Sequence, residues 1–284
     1  MTEASTTDFK QREHDSWAAV ADGWCRQDAL LRKGSAPVTE RMLSLAGISA
    51  GHKVLDIASG TGEPAISTAK IVGDGGRVIG TDLTDEMLAY ARQKADHAGL
   101  KNIEFRCVDG ETLDIPRETI DAVTIRWGLM FMPEPQTCLT LAHGAMRPGA
   151  RISVACWSGP EKNPFVSLLI KILGQYIDLP KPPPGSPGIF AMADPQRLRE
   201  VMESSGFKSV NLEELEIDVV EVENGQAYWE AMSDLAAPVM RMVDQMDNNT
   251  RGDYINEVIN AADAMKQGNT LRMRGTTWIA SAEK

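Results

Sequence analysis

The strongest constraint on the fold of this chain is a regular alternation of two kinds of segment between residues 54 and 157. Short runs rich in β-branched residues are followed there by longer segments whose apolar residues recur at helical spacing. A chain that repeats strand and helix in this way forms a parallel sheet with helices on both faces. The alternation therefore predicts a doubly wound α/β fold.

The β-branched runs and the segments of helical spacing also give the position of each strand and helix between residues 53 and 158. We expect strands over residues 53–58, 77–82, 103–108, 120–126 and 150–156. We expect the intervening helices over residues 63–72, 86–98 and 135–146, with Gly73, Gly99 and Gly149 at the turns that end them. Most neighbouring strands are thus connected by a helix, as parallel pairing requires.

The chain changes character after Trp157. An apolar helix is expected over 162–176, whereas residues 180–187 contain five prolines, too many for a helix or a central strand. A helix over 197–205 and strands over 210–221 and 270–282 follow, and between those strands lie two segments of helical spacing, 227–247 and 255–266. We interpret 180–187 as a loop insertion and the two helical segments as an inserted hairpin of helices.

Charge and cysteine content argue against several classes of function. A formal net charge of −11 disfavours binding to nucleic acid or anionic lipid, because both require a positive surface. The four cysteines are widely spaced, which argues against a metal site and a disulfide framework and favours a reducing, cytoplasmic compartment. No apolar run is long enough to predict a membrane span. The charge therefore favours a small molecule over nucleic acid as the ligand or substrate.

A glycine-containing turn connects the first predicted strand to the first helix. Residues 54–63 read VLDIASGTGE, in which Gly60 and Gly62 let the backbone turn sharply and let a ligand approach closely. Together with Ala65 they also satisfy the G-x-G-x-x-A pattern of dinucleotide binding. The turn alone therefore predicts a nucleotide-like ligand and leaves an NAD-dependent oxidoreductase as an alternative.

Two acidic residues at later strand ends extend the candidate site. Asp82 lies 20 positions after Gly62, where a carboxylate can accept both ribose hydroxyls of an adenosine, as either class of enzyme needs. Asp109, followed by Gly110, is suited to accept the adenine amino group, which dehydrogenases do not generally require. Asp109 could also cap the next turn. The second acid favours a methyl-donor site over a dinucleotide site.

Residues 54–157 resemble the Rossmann-type S-adenosylmethionine-dependent methyltransferases, and most closely the branch named for ubiquinone and menaquinone biosynthesis. The resemblance rests on five segments in the expected order, namely 56–62, 80–84 with Met87, 109–110, 127–133 (WGLMFMP) and 146–149 (MRPG). It implies an α/β, doubly wound, mostly parallel seven-stranded Rossmann-like methyltransferase sheet with an antiparallel last strand and helical lid insertions. It also implies S-adenosylmethionine as cofactor and S-adenosylhomocysteine as product.

The resemblance further implies a single domain and a set of cofactor-binding residues. A cofactor-binding core over 49–157 would be completed by 194–223 and 269–284, with a helical lid over 1–48 and lid insertions over 158–193 and 224–268. The residues expected at the cofactor are Asp56, Ala58, Ser59, Gly60, Gly62, Asp82, Leu83, Met87, Asp109, Gly110, Arg126 and Trp127. Two of them depart from the pattern that the resemblance implies. Ala58 replaces a common glycine, and Arg126 either brings a bulky cation close to the sulfonium or bonds the carboxylate of the cofactor.

Methyl transfer from a sulfonium needs mainly alignment and exclusion of water, so few catalytic side chains are expected. His14 is our candidate for a general base, ahead of His143, Glu13 and Asp15, and Arg126 would face the transfer centre. The predicted acceptor pocket is apolar and consists of Trp17, Trp24, Phe131, Phe190 and Trp229. Such side chains equally form ordinary core or a homodimer surface.

The function predicted from the sequence is methyl transfer to an oxygen or carbon of a mostly apolar small molecule, such as a quinone-like compound or a secondary metabolite. A noncatalytic protein that binds an adenosyl ligand is a further alternative to the NAD-dependent oxidoreductase. It would bind the cofactor without transferring its methyl group.

Overall fold

The computed structural model describes residues 3–179, 183 and 185–284. Its strands are β1 (Lys53–Ile57), β2 (Arg77–Asp82), β3 (Ile103–Cys107), β4 (Ile120–Arg126), β5 (Met146–Trp157), β6 (Lys208–Val222) and β7 (Leu271–Glu283). Its α-helices are α1 (Glu3–Arg26), α2 (Asp28–Leu45), α3 (Ala65–Val72), α4 (Asp85–His97), α5 (Pro135–Ala145), α6 (Pro164–Tyr176), α7 (Pro195–Ser204), α8 (Gly225–Leu235), α9 (Ala237–Val243) and α10 (Asn248–Asp263).

The strands form one seven-stranded sheet in the order β3-β2-β1-β4-β5-β7-β6. β1 pairs in parallel with both β2 and β4, and the parallel pairing continues to β3 on one side and β5 on the other. β7 pairs antiparallel to β5. The predicted fold class is thereby confirmed. The strand order reverses between β1 and β4, and open α/β sheets bind their ligands at the carboxyl ends of the strands beside such a point.

The chain divides into two compact units, and three of the five boundaries between them fall within α2, β6 and β7. The first unit comprises residues 1–35, 159–184 and 216–276, and therefore contains α1, α6, α8, α9 and α10. The second comprises 36–158, 185–215 and 277–284, and contains β1 to β5 with α3, α4, α5 and α7. No helix of the described residues has the length and apolarity that crossing a membrane requires.

The first unit is built around buried aromatic residues. Tyr228 and Tyr254 are fully buried, and their hydroxyls donate to the α6 carbonyls of Phe165 (2.8 Å) and Leu169 (3.3 Å). Because each buried hydroxyl has an acceptor, the large rings can be buried without an unpaired polar group. These bonds join α8 and α10 to α6.

The prediction of a single helix over residues 227–247 is wrong. The structure has two helices there, α8 and α9, separated at Ala236, whose ψ of 59° is not helical. Pro238 lies in the first turn of α9, where its missing N–H costs nothing, and it is the residue that should have predicted the break. The next helix begins at Asn248 rather than 255, because Asp247 caps the backbone N–H groups of Asn249 and Thr250. Much of the predicted loop 180–187 lies outside the described residues.

Helix α2 runs beside the edge strand β6. Lys33 contacts Glu221 at 3.2 Å, and Arg41 makes a two-pronged bond to Glu213. Between them, the backbone of Gly34 approaches the strand so closely that a Cβ would overlap the carbonyl oxygen of Val219. A helix that covers a sheet edge prevents that edge from pairing with other chains.

We expect Gly34→Ala to destabilise the protein, because the added methyl group would overlap backbone atoms that cannot move independently. The free energy of unfolding should fall by about 1–3 kcal/mol. Gly252→Ala is the matched control, since Gly252 lies inside α10 with no atom near its Cβ position. This control should gain about 0.5–1 kcal/mol, and urea denaturation measures both. Equal effects at the two glycines would contradict the close approach of α2.

Candidate active site

The loop after β1 is held in place by main-chain and side-chain hydrogen bonds. The N–H of Ser59 donates to the carbonyl of Thr81 at 2.8 Å, and that of Gly62 donates to the carbonyl of Ser59 at 2.8 Å. The hydroxyl of the buried Ser59 donates to the carbonyl of Asp56 at 3.1 Å. A Cβ built on Gly60 has no other atom within 4 Å. The loop is therefore held by these hydrogen bonds and has open space at Gly60.

Asp56 is a fully buried carboxyl at the end of β1. Thr124 is its register partner on β4, and the Thr124 hydroxyl donates to Oδ1 at 2.6 Å. Oδ2 has no hydrogen-bond partner among the described residues. Burial raises the pKa of Asp56 to about 6, against the lowering effect of the hydroxyls of Ser59 and Thr124 and of the charge of Arg126. A buried oxygen without a partner is costly, which points to a ligand that supplies one.

Asp82, at the end of β2, connects the loop to the start of α4. Its Oδ2 accepts from the N–H of Gly60 at 2.8 Å, and its Oδ1 accepts from the N–H of Thr84 at 2.9 Å. Burial raises its pKa, and these backbone donors oppose that rise. Each carboxylate oxygen can accept a further hydrogen bond, and the side chain is half-buried rather than enclosed. Asp82 can therefore hold the loop and accept ribose hydroxyls at the same time.

Ala58 has a backbone conformation that favours glycine. Its φ of 58° lies in the left-handed region, which costs a residue with a Cβ about 1–2 kcal/mol. The Cβ of Ala58 also occupies the space next to Gly128, where a second Cβ would overlap it. Ala58 thus requires a glycine at position 128, just after the end of β4.

Arg126 is bonded to two neighbouring segments of the second unit. Its guanidinium donates to the Thr39 hydroxyl on α2 at 2.7 Å and to the Glu63 carbonyl just before α3 at 3.0 Å. Burial lowers its pKa, whereas the charges of Glu63 and Asp56 raise it. An arginine remains charged in proteins, so a fixed positive charge lies at the end of β4.

Trp127 is held in an uncommon conformation by its neighbours. Its φ is 57°, its ring stacks on that of Trp157 with centroids 4.3 Å apart, and its indole N–H donates to the Thr277 hydroxyl at 3.1 Å. The Thr277 hydroxyl in turn donates to the carbonyl of Cys156 at 2.8 Å. The guanidinium of Arg126 lies over the Trp127 ring, 5.1 Å from its centroid. Strained residues persist where surroundings over-determine them, often at functional sites.

The residues predicted to contact the adenine lie in different environments. Asp109 accepts from the N–H of Glu111 at 2.8 Å, which is the turn-capping contact weighed from the sequence. A Cβ on Gly110 would lie 2.9 Å from Met132, so this glycine also serves packing. Leu83 is half-buried, and Met87 is buried with only 3% exposure. Their roles toward a ligand remain predictions.

The residues expected in the acceptor pocket fall in both units. Phe131 and Phe190 belong to the second unit and are half-buried, and the N–H of Gly188 donates to the carbonyl of Met130 at 2.9 Å. This bond joins the segment that carries Phe190 to the turn that carries Phe131. The two phenylalanines therefore lie on connected segments next to the end of β4.

The remaining predicted residues belong to the first unit. Trp17 and Trp24 pack edge to face with centroids 5.8 Å apart, and Trp229 packs in the same way on Tyr254 at 5.9 Å. His14 shares a hydrogen bond of 3.1 Å with its neighbour Asp15. Neither a catalytic role of His14 nor a pocket role of the three tryptophans is tested by these contacts.

The side chain of Glu13 is more deeply buried than that of His14, its neighbour on α1. Its side chain is 13% exposed, compared with 33% for His14. Burial raises its pKa, while Arg241 and a hydrogen bond to Trp17 lower it. Glu13 is therefore the structurally better-defined alternative to His14 within this unit.

Sequence reasoning missed the residues that support the site. Thr124, Thr39, Trp157 and Thr277 contact the predicted residues but carry no motif of their own. Thr124 could have been found, because it is a polar residue inside an apolar strand, as Asp56 is in β1. Thr39 and Thr277 are distant in the sequence, and only tertiary structure brings them to β4.

The chain is similar to known methyltransferases. The model of the ubiE/COQ5 methyltransferase family matches residues 38–173. A ubiquinone/menaquinone biosynthesis C-methyltransferase UbiE from Teredinibacter turnerae is 32% identical over 179 residues, covering 58% of this chain and 70% of the relative. The protein of the same name from Cellvibrio japonicus is 26% identical over 246 residues, covering 79% and 99%.

Among solved structures, phosphoethanolamine N-methyltransferase 2 from Haemonchus contortus, in complex with S-adenosyl-L-methionine, has a TM-score of 0.52 and 14% identity. The similarity covers 87% of this chain and 52% of that one. At this sequence identity it shows a shared fold only. The sheet order, the loop after β1 and these similarities define a Rossmann-like S-adenosylmethionine-dependent methyltransferase. Within that class, the chain belongs to the ubiE/COQ5 methyltransferase family. The NAD-dependent alternative receives no support.

The contact between Ala58 and Gly128 predicts a strong coupling between the two positions. Gly128→Ala should lower the free energy of unfolding by about 1–3 kcal/mol through overlap with the Ala58 methyl group. Ala58→Gly should change stability by less than about 1 kcal/mol, since relief of the left-handed strain offsets the extra freedom of glycine. In the double variant most of the Gly128→Ala cost should disappear. Denaturation of the four proteins measures the coupling, and additive effects would contradict it.

The buried carboxyl of Asp56 predicts a pH dependence of stability. Its pKa rises from 3.8 to about 6 on folding, so the native state binds the proton more tightly, and this group's contribution to stability decreases as pH rises through that interval. Relative to Asp56→Asn, the wild type should lose about 2 kcal/mol between about pH 4.5 and about pH 7. Denaturation at about pH 4.5 and about pH 7 tests this. Asp74→Asn, at an exposed carboxylate, is the control. A constant difference between wild type and Asp56→Asn would exclude the raised pKa.

Proposed function

We propose that this enzyme transfers the methyl group of S-adenosylmethionine to a ring carbon of a quinol-like aromatic molecule. The observation that supports the acceptor class is the similarity to C-methyltransferases of ubiquinone and menaquinone biosynthesis. Apolar, half-buried side chains at the end of β4 and on the segment bonded to it, Phe131 and Phe190, agree with an apolar aromatic acceptor.

The residues of the second unit fit the proposed cofactor. The buried Asp56 oxygen without a partner is suited to an ammonium group, and the open space at Gly60 lets a ligand approach the backbone. In this proposal Asp82 accepts the ribose hydroxyls, Asp109 and Leu83 contact the adenine, and residues 58–62 follow the methionine part. Bound S-adenosylmethionine supplies a methyl group that is already activated by its sulfonium.

The protein's own contribution to this reaction is orientation and exclusion of water. In the proposed step, an electron pair of the acceptor ring forms the new carbon–carbon bond, the sulfur–carbon bond breaks toward sulfur, and the ring carbon releases its proton. Deprotonation of a ring hydroxyl makes that carbon more nucleophilic. His14 is our candidate for this base, with Glu13 as the alternative within the same helix.

Further parts of the proposal concern organisation. We assign residues 1–48, 158–193 and 224–268 to lids over a single methyltransferase domain, with a homodimer through the same residues as the alternative. We assign the enzyme to the cytoplasm, where its four free cysteines would remain reduced. Its acidic charge argues against nucleic acid as substrate.

The proposal is tested by incubating the full chain with S-adenosylmethionine and a reduced 1,4-naphthoquinone that carries a short alkyl chain. We expect a product heavier by one methylene group, with NMR placing the new methyl on a ring carbon. An oxygen-methylated product would overturn the proposed atom. Failure of a series of benzene- and naphthalene-type quinols to react, while S-adenosylhomocysteine still binds, would overturn the acceptor class.

Gly60→Asn gives a matched negative control for this assay. Asparagine tolerates a left-handed φ, such as the 51° of Gly60, but places side-chain atoms in the open space above the loop. It should weaken S-adenosylhomocysteine binding by at least about tenfold in calorimetry. Gly99→Asn, at a φ of 69° after α4 with equally open surroundings, should bind like the wild type. Unchanged binding by Gly60→Asn would contradict the proposed placement of the cofactor.

A further inference from the structure

Trp127 lies between two residues that contact the loop after β1. The guanidinium of Arg126 donates to the carbonyl of Glu63, where this loop ends, at 3.0 Å. On the other side, Gly128 lies so close to the loop that a Cβ added to it would overlap the methyl group of Ala58. Both contacts place the backbone of Trp127 next to the loop, at the carboxyl end of β4.

The ring of Trp127 is held on three sides. One face stacks on the ring of Trp157, with centroids 4.3 Å apart and an angle of 12° between the planes. A ring stacked this closely leaves no space for another group on that face, so the Arg126 guanidinium, 5.1 Å from the Trp127 centroid, lies over the opposite face. The indole N–H donates to the Thr277 hydroxyl at 3.1 Å. Because both faces and the N–H are engaged, the ring offers an edge to a ligand.

Thr277 fixes the direction in which this edge points. Its hydroxyl donates to the carbonyl of Cys156 at 2.8 Å, so its oxygen meets the indole N–H as an acceptor. Thr277 is fully buried on β7, Trp127 follows β4, and β5 lies between these two strands. The N–H edge of the indole therefore points across β5 toward β7. The opposite edge, on the six-membered ring, points toward the side of the sheet where β1 and its loop lie.

We propose that Trp127 is an acceptor-binding residue, whose six-membered ring edge forms a fixed wall beside the methyl-transfer centre, and that Thr277 is the positioning residue that holds this wall. The inference rests on the proposed function. It replaces the cofactor contact predicted for Trp127 with a contact to the acceptor. The side chain of Trp127 is half-buried, so part of it is accessible to a ligand.

The sheet order supports the acceptor rather than the cofactor as the ligand of this edge. Asp82 and Asp109, proposed for the ribose and the adenine, lie at or just after the ends of β2 and β3, on the far side of β1 from β4. An acceptor has to approach the methyl group in line with the sulfur and from the side opposite to it. Phe131 and Phe190, proposed for the acceptor, follow β4 or lie on the segment bonded to the turn after it. The edge of Trp127 therefore belongs to the acceptor side of the site.

The polarity of this edge favours an electron-rich aromatic acceptor. Ring edges carry partial positive charge and ring faces carry partial negative charge, so two aromatic rings favour an edge-to-face contact. The left-handed φ of 57° at Trp127 persists because the contacts to Trp157 and Thr277 over-determine it. A ring that cannot turn orients the acceptor, and orientation is the main contribution of the protein to this reaction.

The test combines steady-state kinetics of the full chain, with the quinol that the wild type methylates fastest, and calorimetry with S-adenosylhomocysteine. Trp127→Phe removes the outer ring atoms and the N–H, so the KM for the acceptor should rise about threefold to tenfold. Its affinity for S-adenosylhomocysteine should stay within about twofold of the wild type. Weaker S-adenosylhomocysteine binding with an unchanged KM would assign Trp127 to the cofactor and overturn the inference. An equal loss of both would show a structural role only and would also overturn it.

Two variants of Thr277 test the positioning separately. Thr277→Val keeps the shape of the side chain but cannot accept the indole N–H, so the acceptor KM should rise as in Trp127→Phe. Thr277→Ser keeps the hydroxyl and should restore the wild-type KM. Thr140→Val is the matched control, since the hydroxyl of Thr140 on α5 also donates to a carbonyl at 2.8 Å, and its KM should be unchanged. Equal KM values for Thr277→Val and Thr277→Ser would contradict the role of Thr277.

Thermal melting checks that each variant is folded. If Trp127→Phe does not fold, the two Thr277 variants still decide, because a KM restored by serine supports the inference and equal values overturn it. A wild type that methylates no quinol would overturn the proposed function together with this inference. A wild type that methylates a quinol, with the same KM in Trp127→Phe and Thr277→Val, would overturn the inference alone.

Discussion

The hydrogen bond between Asp56 and Thr124 is the interaction on which the site depends. It joins the ends of β1 and β4, the two strands at which the sheet order reverses, and it lies directly below the loop that turns toward α3. A fully buried carboxyl is unfavourable for folding unless its oxygens are satisfied, and one of them has no partner among the described residues. The protein therefore retains a destabilising group at the point where an α/β sheet binds its ligand, which is the trade of stability for function expected at an active site.

The supporting residues show how such a group is maintained. Asp82 uses one oxygen to hold Gly60 and the other to hold Thr84, so that the ends of β1 and β2 are joined through the loop. On the other side, Trp127 stacks on Trp157 and bonds to Thr277, which joins β4 to β5 and β7. The loop is thus restrained from both sides by side chains whose own positions are fixed, which is the requirement for a preorganised site.

The sequence predicted the parallel core well because local patterns determine it. Strands over 77–82 and 120–126 were expected at the positions where β2 and β4 occur. β1 and β3 differ from expectation by one residue at one end, and α4 differs by one residue at each end. The helices between β6 and β7 were predicted less accurately, since Pro238 and the cap at Asp247 break a hydrophobic periodicity that looks continuous. In the site, Asp56 and Asp82 follow from motif and spacing, whereas the partners Thr39 and Thr277 do not, because their contacts depend on packing between distant segments.

The two residues expected from the resemblance to depart from the family pattern, Ala58 and Arg126, each have a physical explanation in the structure. Ala58 accepts a left-handed conformation, and Gly128 provides the space that its methyl group needs. Burial lowers the pKa of Arg126, and the charges of Glu63 and Asp56 oppose that effect. Each unusual residue is therefore accompanied by a specific partner, and a substitution at either member alters the conditions for the other. Such pairs make the effects of single substitutions non-additive, so the role of either departure is measurable only when its partner is changed as well.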